Sequence, residues 1–198
     1  MEAPKGIAVD EVTSWLTERV PDCTPPLDFS LIAGGHSNLT YQLRRGDARY
    51  VLRRPPFGSK VKSAHDMGRE HTVLSALAPV YPKAPRPLAL CTDEAVLGCT
   101  FYVMEEREGV ILRKDVPRDL TLDAATTRRL CELLIDALAE LHAVDFAAAG
   151  LGGLGKPVGY VRRQVEGWTE RYHGSRTDEL PVVLEVAAWL AAHQPVDG

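Results

Sequence analysis

Two very short connections between strand-like runs constrain the fold of this chain more than any other feature of its sequence. The runs lie at residues 28–33, 39–44 and 48–53, and they are joined by residues 34–38 and by a tight Gly-Asp turn at 46–47. Strands joined this closely must pair antiparallel, because a parallel pair needs a crossover of about a dozen residues or more. The sequence therefore predicts an antiparallel meander near its start.

Helices are predicted before and after this meander. Apolar side chains recur at helical spacing over residues 10–20 and again over 64–78, which predicts two amphipathic helices. Two further strand-like runs follow at residues 86–91 and 95–105, joined by a turn at 92–94. The first part of the chain is therefore expected to be a small lobe of five antiparallel strands with an inserted helix.

The second half of the chain has helical periodicity throughout. Apolar positions predict helices at residues 123–143, 161–172 and 180–192. A sheet followed by a group of helices is typical of an α+β fold. We therefore predict an α+β protein in two parts, a lobe of residues 1–105 and a mostly helical part of residues 106–198.

The composition excludes several classes of protein. The chain has 198 residues, is 45% hydrophobic, and has 23 Lys and Arg residues against 27 Asp and Glu residues, a formal net charge of −4. This balance gives no broad basic surface for nucleic acids or anionic membranes. The N-terminus lacks the apolar core of a signal peptide, and no stretch approaches the roughly 18 apolar residues of a membrane helix. We therefore expect a cytoplasmic protein without nucleic-acid or membrane partners.

The four cysteines are too widely spaced for a zinc knuckle or a dithiol redox motif. The sequence contains no C-x-x-C pair, and both of those sites need closely spaced cysteines. Cys91, Cys99 and Cys131 lie among apolar residues in the sequence, so we expect them to be buried and reduced.

A glycine-rich segment at residues 150–155 matches the G-x-G-x-x-G pattern of dinucleotide-binding loops. That pattern binds phosphate when a buried strand precedes it and a helix follows it. Here the predicted helix of residues 123–143 precedes the glycines, and Pro157 stands where a P-loop needs Ser or Thr. The segment is therefore predicted to be a loop between helices.

Candidate residues for a nucleotide site lie instead in the first lobe. Glycines in the connection at residues 34–38 would let the backbone approach a polyphosphate closely. Arg53 ends a strand beside this connection, and Glu70 on the following helix could pair with it. Arg54 is the alternative cation, since strand alternation sends adjacent side chains to opposite faces. The residues of the connection are Gly34, Gly35, His36, Ser37 and Asn38.

These parts follow one another in the order of a kinase small lobe, and several stretches carry a closer resemblance. They are GGHSNLTYQL, YVLRRPPFGS, AHDMGREHTVLSAL, FYVMEEREG, VPRDLTL, LAELHAVD and RRQVEGWTERY. They resemble the aminoglycoside/choline phosphotransferase branch of the protein-kinase-like superfamily. In particular, they resemble the kinase-like domain at the N-terminus of some large acyl-CoA dehydrogenase family members. The resemblance extends from about Phe29 to the end of the sequence.

The resemblance implies a protein-kinase-like fold and an activity. The activity is an ATP- and Mg²⁺-dependent transfer of phosphate to a hydroxyl group of a small molecule, such as a hydroxyacyl-CoA. By position, residues 34–38 would cradle the ATP phosphates beside the strand cation Arg53. Met104, Glu105 and Arg107 would line the adenine pocket, the last two through backbone groups.

The sequence departs from the family in one respect. The family's catalytic motif, H-G-D-x-x-x-x-N followed by a metal-binding Asp, does not occur in the chain. Phosphoryl transfer relies on the positioning and charge stabilisation that this base and these metal ligands supply. We therefore assign no catalytic or metal-binding residue, expect the metal ligands beyond the end of this sequence, and expect the 198 residues alone to be inactive. The alternative is a truncated, non-catalytic nucleotide-binding or interaction module.

The absence of that segment also affects the predicted helices. The helices at residues 123–143 and 180–192 carry apolar positions, and the resemblance implies that these pack against further parts of the large lobe in a complete family member. Without those neighbours, we expect both helices to expose apolar surface and to favour self-association.

Overall fold

The computed structural model describes residues 4–32, 37–58, 65–112, 117, 120–156 and 158–195. Contacts within the chain divide it into two compact units, residues 1–151 and residues 152–198. The predicted boundary between the two lobes, at residues 105–106, is not the boundary between these two units. It stays a prediction.

One antiparallel sheet organises the first unit. Its elements in chain order are α1 (Val9–Thr17), β1 (Asp28–Leu31), β2 (Leu39–Arg45), β3 (Ala48–Arg54), α2 (Met67–Leu77), β4 (Pro87–Cys91), α3 (Glu94–Leu97), β5 (Phe101–Glu105) and α4 (Ala124–His142). The five strands lie in the order β1-β2-β3-β5-β4, and every neighbouring pair is antiparallel. This arrangement confirms the predicted α+β class and the predicted meander.

The strand predicted at residues 95–105 begins later than expected. The structure has the short helix α3 in its first part, and β5 starts only at Phe101. The Asp93 carboxylate accepts a hydrogen bond from the Ala95 amide at 2.9 Å and so caps this helix. Gly98 ends it in the left-handed conformation, with φ at 70°. Local capping therefore overrides the strand pattern over these residues.

The two faces of the sheet have different neighbours. One face carries the hydrophobic core, in which Leu16 of α1 is fully buried. Leu52 of β3 and Val103 of β5 lie opposite one another in the register and belong to this core. Because side chains alternate along a strand, Arg53 and Tyr102 point to the other face, where α2 contacts β4 and β5.

The loop between α2 and β4 connects the sheet to α4. The Tyr81 hydroxyl donates a hydrogen bond to the Ala137 carbonyl of α4 at 3.0 Å. The Lys83 ammonium forms an ion pair with the Glu140 carboxylate, one helical turn further along. These two contacts fix the position of α4 relative to the loop.

The helix α4 leaves much of its apolar surface exposed. Its exposed side chains are Leu130, Leu133, Leu134, Ile135 and Leu138, which confirms the exposure expected of this helix. Cys131 is also exposed, so the expectation that it is buried is wrong. Burial depends on tertiary neighbours, and the apolar residues around Cys131 in the sequence do not supply them. Among the described helices, none is both long and apolar enough to cross a bilayer.

The second unit is a pair of helices. They are α5 (Tyr160–Ser175) and α6 (Pro181–Ala192), close to the predicted positions. The Tyr172 hydroxyl accepts a hydrogen bond from the Leu180 amide at 3.0 Å and so fixes the connection between them. An apolar groove of about 370 Å³ lies between the two helices and includes Trp168 and Leu190.

The glycine-rich segment at residues 150–155 forms turns between α4 and α5. A helix precedes it in the chain, where a dinucleotide-binding motif requires a strand. The prediction of a loop between helices is confirmed.

Candidate functional site

The predicted pair of Arg53 and Glu70 is formed in the structure. Arg53 lies near the end of β3, and Glu70 lies in the first turn of α2, which the Asp66 carboxylate caps through the Arg69 amide at 2.9 Å. The Nε atom of Arg53 is 3.2 Å from Oε2 of Glu70, and each side chain is about one-third exposed. The pair therefore lies at the surface of a cavity and remains accessible to a ligand.

The alternative cation, Arg54, lies on the opposite face of the sheet. Its guanidinium donates a hydrogen bond to the Gly6 carbonyl at 2.6 Å and lies 4.7 Å from the centre of the Phe57 ring. The side chain is only 7% exposed. Arg54 therefore holds the segment before α1 against the sheet, and Arg53 is the arginine that faces Glu70.

Two neutral donors also contact the Glu70 carboxylate. The Asn38 amide nitrogen donates to Oε1 at 2.9 Å, and the Tyr102 hydroxyl donates to Oε2 at 2.9 Å. Nδ1 of His65 lies 2.8 Å from the Asn38 amide oxygen. These contacts extend the predicted Arg53–Glu70 pair into a network that includes the segment just before β2.

Tyr102 is a site residue that the sequence analysis missed. It lies directly opposite Arg53 in the β3–β5 register and is 2% exposed. Burial is the largest cause of its raised pKa, and the nearby Glu70 carboxylate also raises it while Arg53 opposes the shift. The phenol is therefore neutral at physiological pH and acts as a donor. The sequence indicates that Tyr102 and Met104, two residues apart on β5, share a face of the strand. It does not indicate the register that places Tyr102 opposite Arg53 of β3.

A cavity of about 540 Å³ lies beside this network. The charged side chains that line it are Arg53, Asp66, Arg69 and Glu70, and apolar side chains line it as well. Such a mixed lining is common in sites for small ligands, and the volume is within their usual range of about 300–1,000 Å³. The apolar lining comes from Val73, Leu74, Pro85 and Met104.

The segment that leaves β5 is held by its own side chains. The Glu105 carboxylate pairs with Arg107 at 2.7 Å and accepts a hydrogen bond from the Arg86 amide at 2.8 Å. The Arg107 guanidinium also donates to the Pro82 and Ala84 carbonyls at 2.8 and 2.9 Å. The backbone amide of Glu105 in turn donates to the Arg86 carbonyl at 3.0 Å. The predicted adenine-pocket residues Glu105 and Arg107 thus anchor this segment to the loop before β4.

The structure brings together most, but not all, of the predicted site residues that it describes. Gly34, Gly35 and His36 lie outside the described residues. Ser37 is described and exposed, while Asn38 is engaged with Glu70. Within the described ranges, no group of three or more His, Cys, Asp and Glu side chains could hold a metal ion.

Known proteins resemble this chain in both sequence and structure. Residues 28–198 match the phosphotransferase enzyme family. A Ralstonia eutropha protein provisionally named as an aminoglycoside phosphotransferase has a crystal structure that superposes with a TM-score of 0.71 at 32% identity, over 94% of this chain and 53% of that one. This likeness confirms the predicted kinase-like fold.

Several curated relatives carry acyl-CoA dehydrogenase names. Acyl-CoA dehydrogenase family member 11 of Gallus gallus is 38% identical over 83% of this chain, and the Homo sapiens protein is 35% identical over 85%. The Arabidopsis thaliana protein named probable acyl-CoA dehydrogenase IBR3 is 34% identical over 88%. The chain spans only 21–22% of the length of these three relatives. From the match over residues 28–198 and these identities, the chain belongs to the phosphotransferase enzyme family.

Proposed function

We propose that this chain is the ATP-binding part of a small-molecule O-phosphotransferase, a kinase that transfers the terminal phosphate of ATP to a hydroxyl group. Membership of the phosphotransferase enzyme family supports the class of reaction. The observation that carries the proposal is the pair of Arg53 and Glu70, 3.2 Å apart, at the wall of a cavity that also contains Met104.

The two arginines that line the cavity suit the phosphates of a nucleotide. The Nε atom of Arg53 faces Glu70, while its terminal nitrogens form no hydrogen bond with any residue in the described ranges. Those nitrogens are available to phosphate oxygens, to which arginine binds well because its donors form a planar fork. Arg69 adds a second cation to the same cavity. We assign the neighbouring connection at residues 34–38 to the phosphates as well.

The apolar side chains that line the cavity suit the adenine ring. Met104 and Leu74 would contact its faces, as apolar side chains commonly do in nucleotide sites. The Glu105 amide already donates to the Arg86 carbonyl, so we assign the hydrogen bonding of adenine chiefly to the backbone of Arg107.

The metal and the phosphate acceptor enter the proposal from family membership. Mg²⁺ would neutralise charge on the ATP phosphates, but no residue within the described ranges is assigned to hold it. The relatives named acyl-CoA dehydrogenase family members favour a hydroxyacyl-CoA, or a similar small molecule with a hydroxyl group, as the acceptor.

Titration with MgATP tests the nucleotide site directly. We expect MgATP to raise the unfolding temperature of the 198-residue chain, since ligand at about 100 times its Kd adds about 2.7 kcal/mol of stability. Arg53→Met should abolish this rise. Arg49→Met is the matched control, because Arg49 lies on the same strand and also pairs with a glutamate, Glu108, away from the cavity.

Each outcome of this titration has a clear meaning. No stabilisation of the wild-type chain by MgATP would contradict the proposal, as would equal stabilisation of the wild type and Arg53→Met. A phosphate-transfer assay with a hydroxyacyl-CoA then separates the two functional hypotheses. Binding without turnover is expected for the 198 residues alone, which lack the H-G-D motif. Turnover by a longer protein containing this chain would favour the kinase over the non-catalytic binding module.

A further inference from the structure

The Glu70 carboxylate is held mainly by two neutral side chains. Its hydrogen bonds with Asn38 and Tyr102 are both 2.9 Å long and reach different carboxylate oxygens. Arg53 approaches to 3.2 Å, but its buried Nε atom makes no aligned hydrogen bond. Because hydrogen bonds are directional and ion pairs much less so, Asn38 and Tyr102 set the orientation of the carboxylate.

Tyr102 is suited to this role by its position in the sheet. It lies opposite Arg53 on the neighbouring strand, so its side chain emerges on the same face. The His71 imidazole packs against its ring in a T-shaped arrangement, with 6.1 Å between the ring centroids. This contact helps to hold the ring, and its hydroxyl is directed at Glu70.

Asn38 connects the segment before β2 to the same carboxylate. Its amide nitrogen must donate to Glu70, because a carboxylate only accepts, so its oxygen is the atom that faces Nδ1 of His65. Nδ1 of His65 therefore carries a hydrogen in this arrangement. One hydrogen of the Asn38 amide nitrogen and the amide oxygen are thus used within the protein, and the second hydrogen of that nitrogen remains a donor.

We infer that Tyr102 and Asn38 are positioning residues: they fix the place of the Glu70 carboxylate and, through its ion pair with Arg53, the position from which the arginine meets the nucleotide phosphates. This inference rests on the proposed function. It adds an indirect role, through Glu70, to the phosphate contact that the position of Asn38 in the sequence suggested. It also adds Tyr102, whose hydroxyl donates to Glu70, to the residues that determine affinity for ATP.

Two variants that remove the donors to Glu70 test the inference. In Tyr102→Phe and Asn38→Leu, we expect the Kd for MgATP to rise about tenfold, the effect of losing one hydrogen bond to a charged group. The Kd for adenosine should not change, because adenosine has no phosphates for Arg53 to bind. Tyr41→Phe is the matched control, since Tyr41 is equally buried and donates to the Lys5 carbonyl on the core face. Unchanged MgATP affinity in both variants, or equal weakening of MgATP and adenosine, would overturn the inference.

A second measurement without nucleotide separates this inference from the proposed function. The Nε–Hε signal of Arg53 in an NMR spectrum can be assigned by its loss in Arg53→Lys. We expect this signal to shift and to exchange faster with water in Tyr102→Phe and Asn38→Leu, but not in Tyr41→Phe. If the wild-type chain binds no MgATP, the proposed function fails, and this signal decides independently whether Tyr102 and Asn38 position Arg53. An unmoved signal in both variants would contradict the positioning role.

Discussion

Arg53 and Arg54 are adjacent on β3, yet their side chains leave the sheet on opposite faces, one toward Glu70 and the other toward the Gly6 carbonyl. The first arginine remains about one-third exposed beside a cavity, whereas the second is almost fully buried. Two like charges next to each other in the sequence therefore have different roles, and the strand geometry separates them.

The Arg54→Met variant should lose stability without losing nucleotide affinity. It removes the hydrogen bond from the buried guanidinium to the Gly6 carbonyl, and a hydrogen bond from a charged group contributes about 1.5–3 kcal/mol. Urea unfolding would measure the loss. Arg49→Met is the control, because its ion pair with Glu108 is exposed and should contribute less than about 0.5 kcal/mol. If the two variants unfolded at the same urea concentration, Arg54 would not hold the segment before α1.

The Leu16→Ala variant should show that α1 is part of the core of the first unit. Leu16 is fully buried against the sheet, and removing such a side chain costs about 2–5 kcal/mol. Leu134→Ala makes the same chemical change at a position that is 69% exposed and should cost little. Urea unfolding of both variants tests this. A small effect of Leu16→Ala would mean that α1 contributes little to the stability of the sheet.

Stability should fall at alkaline pH because of Cys23. Burial raises the pKa of this thiol from 9.0 to about 11, with Arg45 opposing the shift. The folded protein therefore holds the thiol proton more tightly than the unfolded chain does. The resulting stabilisation is complete below about pH 9 and is lost as the pH rises toward about 11.

Unfolding free energies measured between pH 8 and pH 11 test this expectation. The decline should be shallower in Cys23→Ala than in the wild type. Cys131→Ala is the control, because Cys131 is exposed, and it should follow the wild-type curve. Parallel curves for Cys23→Ala and the wild type would exclude a contribution from the buried thiol.

The exposed surface of α4 should make the 198-residue chain self-associate. Leu134 and Ile135 are 69% and 62% exposed, and contiguous apolar patches of this kind promote association. We expect the wild-type chain to bind a hydrophobic dye and to sediment as oligomers. The double variant Leu134→Lys with Ile135→Lys should reduce both effects. A monomeric wild-type chain without dye binding would contradict the prediction.

The sequence predicted the sheet better than it predicted the details of the site. Alternating patterns and short connections are local signals, so the meander and the positions of α2, α4, α5 and α6 followed from them. The short helix α3 could not be predicted in this way, because its four residues are too few to show a helical repeat of apolar positions. The pairing of Arg53 with Glu70 was predicted from the order of the parts. Tyr102 was missed, because its approach to Glu70 depends on a register between strands that are distant in the sequence.

The loop between α2 and β4 has two sets of partners, and this limits how its sequence can change. It binds α4 through Tyr81 and Lys83, and it binds the segment after β5 where Arg107 donates to the Pro82 and Ala84 carbonyls. Surface loops commonly tolerate insertions. An extra residue here would shift one set of partners relative to the other, so both could not be kept. Insertions and chain breaks should therefore be harmful in this loop, although it lies at the surface between two regular elements.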